Sequence, residues 1–230
     1  LAVRLAAVSQ LAGAPEELFK PYQLEAFREM LDEYHETMEY SLDFAFAGHN
    51  LGNLYTQMGD AERAREYYER AIAVDDLFFP AKLNLAILHS QQGRNVEAEA
   101  LLRSILDAYP ENAEAAYMLG LLLVELGQTD EAMALLETAG RDTPPNPRAL
   151  YNLGLLRQSL GRLDEAEAAL RDALALQPES LEFLYALTDH YVKRGRYEDA
   201  LELAERMIAA HPDQQVGHQM KAELLRALGR

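Results

Sequence analysis

Glycine recurs every 34 residues along this chain, at Gly59, Gly93, Gly127, Gly161, Gly195 and Gly229, without a slip. A period held that strictly marks an array of one supersecondary unit, because each unit must meet its neighbour in the same way. Glycine is favoured where a helix ends on a residue of positive φ. Each rung of the ladder therefore predicts the turn inside a helix pair.

Two more ladders share the register. Ala64, Ala98, Ala132, Ala166 and Ala200 each stand five residues beyond a glycine, where a second helix needs a small side chain against its neighbour. Pro110, Pro144, Pro178 and Pro212 are again 34 residues apart and suit the stop after that helix. Helix, tight turn, antiparallel helix and stop, repeated, resemble the tetratricopeptide repeat. With repeats at 45–78, 79–112, 113–146, 147–180 and 181–214, the family's seventh position holds Leu51, Leu85, Leu119, Leu153 and Leu187, and its eighth holds Gly52, Ala86, Gly120, Gly154 and Thr188. The aromatic or aliphatic position of the second helix holds Tyr68, Leu102, Leu136, Leu170 and Ala204. The resemblance implies an all-α, right-handed superhelical solenoid of antiparallel helix pairs.

The chain departs from the pattern at the fourth position, where Gly48, Lys82 and Ala116 precede Leu150 and Leu184. The first three hairpins are expected to pack less conventionally there. Repeat one also closes on Asp76 instead of proline.

Residues 1–44 fall outside the period and read as an N-terminal helical capping segment. Pro15, Glu16 and Glu17 suit a first helical turn, with acids at the positive end of the helix dipole, and Pro21 interrupts. From Tyr22 to about Tyr40, the residues Leu24, Phe27, Met30, Leu31, Tyr34, Met38 and Leu42 recur at threes and fours as one amphipathic stripe. The run from Val3 to Leu11 is similar to the second helix of a HEAT-type repeat. Together with the repeats, it resembles the C-terminal part of bacterial multihaem cytochrome-like proteins, which implies a periplasmic setting; their Cys-x-x-Cys-His motifs do not occur here. Residues 215–230 read as a C-terminal capping helix, the first half of a sixth repeat. A chain opening on Leu1 and stopping after a turn glycine reads as a piece of a longer protein.

Composition narrows the function. Without cysteine there is no thiol nucleophile, Cys-ligated zinc or covalent haem. A formal charge of −17 has the wrong sign for nucleic acid or anionic lipid. No apolar stretch is long enough to cross a bilayer. The six histidines form no metal-binding spacing, and the glycines are singletons, not a phosphate loop. A non-enzyme without metal or cofactor is expected.

The resemblance further implies that first helices line a concave groove, with positions 2, 5, 6, 9, 12 and 13 of each repeat turned inward. Position 6 holds Asn50, Asn84 and Asn152, similar to the asparagine ladder with which some members of the family grip a peptide main chain; a carboxamide offers both donor and acceptor. Position 5 holds His49, then Tyr117, Tyr151 and Tyr185 in the last three repeats. For the tyrosines two readings stand, contact surface for a ligand or spacers between helices. His49, Asn53 and Asn84 occupy three places of the carboxylate clamp that captures acidic chaperone tails, but Glu114 and Met118 stand where its basic residues belong. Acidic tails are therefore not expected ligands. The expected function is a protein-interaction module holding an extended peptide or partner segment; the alternative is an architectural array packed on other domains, including a haem or redox domain, of a longer polypeptide.

Overall fold

The computed structural model describes residues 2–230, with only the backbone of residues 2, 3 and 5, so the side chains of Val3 and Leu5 in the HEAT-like run lie outside the described residues. The described residues form thirteen α-helices and no strand. They divide into two compact units, residues 1–110 and 111–230.

The first unit begins with α1 (Ala2–Leu11), one 3₁₀ turn (Glu16–Leu18) and the twenty-residue α2 (Pro21–Tyr40). The acids after Pro15 thus open a single turn and not a helix, because Pro21 takes the first position of α2, where its missing N–H costs nothing. Two hairpins follow: α3 (Ala45–Gln57) with α4 (Ala61–Val74), and α5 (Phe79–Gln91) with α6 (Asn95–Ala108). The second unit holds α7 (Ala113–Glu125) with α8 (Thr129–Gly140), α9 (Pro147–Ser159) with α10 (Leu163–Leu176), α11 (Leu181–Lys193) with α12 (Tyr197–Ala210), and the unpaired α13 (Gln215–Ala227).

All six ladder glycines have φ between +71° and +77°. At each, the residue after the glycine donates its N–H to the carbonyl five residues before it, as from Asp60 to Tyr55 (2.9 Å) and Gln128 to Leu123 (2.8 Å). These bonds satisfy helix-end carbonyls that otherwise lack a partner. The five ladder alanines are fully buried.

The eighth position works by close approach. A methyl group at Gly52 would lie 2.4 Å from the Tyr68 ring, and one at Gly154 2.7 Å from Leu170. At the fourth position of the first repeat the departure from a large apolar residue is a close approach, since a Cβ at Gly48 would come within 2.9 Å of the Tyr67 carbonyl and 3.1 Å of Ala71. The missing side chain lets α4 lie directly on α3. After α4, the Asp75 carboxylate accepts the N–H of Leu77 at 3.0 Å and makes the turn that proline makes elsewhere.

An aromatic clasp seats α2. Tyr55 and Tyr67 stack with centroids 5.4 Å apart, His35 stands edge-on to both, and the Tyr67 hydroxyl donates to Glu39. Tyr34 and Met38 are buried with Leu51 and Leu54 of α3.

Candidate functional site

In the first unit the polar residues of α3 and α5 meet in one network. The Asn84 amide nitrogen donates to His49 Nε2 (3.0 Å) and to Asn53 Oδ1 (2.7 Å). Asn53 directs its own amide nitrogen at the same His49 nitrogen, 3.4 Å away. Tyr68 reaches up from α4 and donates its hydroxyl to Asn53 Oδ1 at 2.8 Å, with the Thr56 hydroxyl 3.0 Å away.

These bonds make Nε2 an acceptor and place the single ring proton of neutral His49 on Nδ1. Burial pushes the His49 pKa below its ordinary value, so the neutral form is favoured. The ring is held by Phe78 edge-on at 5.5 Å and by Tyr68 at 6.1 Å. Below the network opens a cleft of about 240 Å³, lined by Asn53, Thr56, Gln57, Tyr68, Asn84, Ile87, Leu88 and Gln91.

The second unit repeats part of the pattern. The Asn152 amide nitrogen donates to the Tyr117 hydroxyl at 3.2 Å. In both units, then, the residue at position 6 gives its amide to position 5 of the preceding first helix, a separation of 35 residues. Tyr151 stacks on buried Phe183 at 5.1 Å. Burial raises the pKa of the Tyr117 and Tyr151 phenols. Tyr185 is 47% exposed, and Arg148 lies 3.7 Å from Glu182 on the same helix faces.

The three position-6 asparagines are thus not equivalent rungs. All are half-buried. Asn50 has no preceding first helix to meet, and its amide nitrogen lies 3.9 Å from the Met38 sulfur of α2. The tyrosines also differ: Tyr117 is tied to an asparagine, Tyr151 packs on the core and Tyr185 is open.

The structure adds residues that sequence reasoning assigned to the core or passed over. Tyr68 fills a core position with its ring and the cleft with its hydroxyl; the signal was a tyrosine where three other repeats have leucine. His190 is fully buried in α11, with Nδ1 bonded to Gln158 Oε1 of α9 at 2.6 Å. Among the described residues no group of His, Cys, Asp and Glu is arranged to hold a metal ion, and no helix is long and apolar enough to cross a membrane.

Comparisons with known proteins agree with this architecture. Models described as tetratricopeptide repeat match residues 49–113, 91–156 and 157–224. Regulatory protein RapG of Bacillus subtilis is 31% identical over 103 residues, 40% of this chain and 28% of RapG. Photosystem I assembly protein Ycf3 of Rippkaea orientalis is 32% identical over 85 residues, 33% of this chain and 49% of Ycf3. The chain thus matches half or less of the length of these curated relatives. The crystal structure of YrrB, described as a TPR protein with an unusual peptide-binding site, superimposes with a TM-score of 0.63 at 25% identity, covering 82% of this chain and 97% of YrrB. Turn glycines, buried alanines, paired helices and the matched models lead to one conclusion: the chain belongs to the tetratricopeptide repeat family.

Proposed function

We propose that this chain is a protein-interaction module that holds an extended segment of a partner protein against its first helices, without catalysing a reaction. The carrying observation is the network of His49, Asn53 and Asn84 beside an open cleft between α3 and α5. Cooperatively bonded side chains of this kind are rigid, and a rigid polar surface binds with little ordering cost. In the second unit Asn152, Tyr117, Tyr151 and the exposed Tyr185 supply amide and phenol groups on the corresponding faces. Tyrosine adds contact area at small entropic cost. Asn50 belongs to the same face through α3. YrrB, with its peptide-binding site, supports the class of ligand.

The competing reading, an array packed on other domains of a longer polypeptide, is favoured by the limited share of RapG and Ycf3 that the chain matches. A photo-crosslinking residue at Gln91, on the exposed wall of the cleft, separates the two. In cells expressing the whole gene, crosslinks to an unstructured segment of another protein support the module. Crosslinks confined to a folded domain of the same polypeptide refute it.

A further inference from the structure

We propose that the cleft between α3 and α5 selects one uncharged hydrogen-bonding side chain, above all a carboxamide, on the bound segment. This deepens the peptide-binding reading and rests on it.

The lining carries the argument. Asn53, Thr56, Gln57, Asn84 and Gln91 surround the Tyr68 hydroxyl, over Ile87 and Leu88, and none of them is charged. The chain as a whole carries −17, so an uncharged polar surface is not its default. The corresponding positions of α11 hold the ion pair of Asp189 and Lys193 at 2.6 Å, so the repeat itself does not demand neutrality.

His49 supplies no hidden charge, since its Nε2 is already an acceptor for two amides. A carboxylate or ammonium entering the cleft would shed water and meet no counter-ion, which is unfavourable. A carboxamide brings two donors and one acceptor. It would face groups of both kinds: the exposed Gln57 and Gln91 amides, the second amide hydrogen of Asn53, and the oxygen of Thr56, whose own hydrogen goes to the Gly52 carbonyl. The cleft, about 240 Å³, has room for a side chain and not for a folded element.

The test uses the full chain and a phage-displayed library of random dodecapeptides. Sequences retained by the wild type are re-measured on Asn84→Ala and on Gln91→Ala, the latter an exposed change that leaves the core untouched, with helicity checked by circular dichroism. Retained peptides weakened by either variant are expected to contain an Asn, Gln, Ser or Thr whose replacement by Glu or Lys lowers affinity about tenfold or more. Peptides weakened by the variants that accept Glu or Lys there without loss overturn the selectivity while leaving peptide binding intact. A library in which neither variant weakens any peptide overturns both.

Discussion

Replacing Gly52 with alanine places a methyl carbon 2.4 Å from Cδ1 and Cε1 of Tyr68 and 2.9 Å from its Cγ. The ring is 2% exposed and has nowhere to retreat without dragging its hydroxyl from Asn53 (2.8 Å) and Thr56 (3.0 Å). Overpacking of this kind costs about 1–3 kcal/mol. Losing the two hydrogen bonds adds about 0.5–1.5 kcal/mol each, while alanine in mid-helix returns about 0.5–1 kcal/mol. These contributions sum to a net loss of about 1–5.5 kcal/mol, centred on about 3 kcal/mol, and that central value corresponds to about 6–12 °C in the unfolding midpoint for a chain of this size. Thermal unfolding at 222 nm measures the shift. Hydrogen exchange locates it, with protection expected to fall in α3–α5 and to persist in α9–α12, because repeat arrays transmit strain mainly to nearest neighbours. Tyr68→Phe, which removes only the hydroxyl, should account for the smaller part. Gly154→Ala meets a flexible leucine and should cost less. An unchanged or raised midpoint for Gly52→Ala would refute the close approach of α3 and α4.

Ala132→Leu inserts three carbons at a fully buried contact and should destabilise by about 1–3 kcal/mol; an unchanged midpoint would show that α8 does not pack through this face. The pKa values of His49, His89 and His190 are each depressed, burial being the largest cause. The unfolded chain then takes up these protons first as the pH falls, so the stability they contribute is present above about 6.5 and is lost as the pH drops through their lowered folded values. Denaturant unfolding at pH 7.5 and at pH 5 should show this loss, and His190→Gln should flatten it; the same pH dependence in the variant would sink the assignment.

The architecture was legible in the sequence because its requirements are local. A positive φ at a helix end asks for glycine wherever it occurs, so Gly59 and its five equivalents can be read without knowing what surrounds them. The alanine ladder is legible for a related reason, since a small residue repeated in register identifies a contact made the same way each time. The stripe from Leu24 to Met38 likewise announced α2, although not that Pro21 would begin it.

The candidate site depended on what stands opposite each side chain. Asn50, Asn84 and Asn152 share one repeat position, yet Asn84 meets an imidazole and an amide, Asn152 a phenol and Asn50 a thioether, because the neighbouring helix differs each time. Tyr68 joined the cleft only because Gly52 leaves its ring a path to the far face of α3. Hydrogen bonding acts over about 3 Å in space, and here the partners lie 12 to 35 residues apart in the chain. Sequence determined that these residues recur in register; tertiary packing decided which of their polar atoms are already engaged and where an open, uncharged cleft remains.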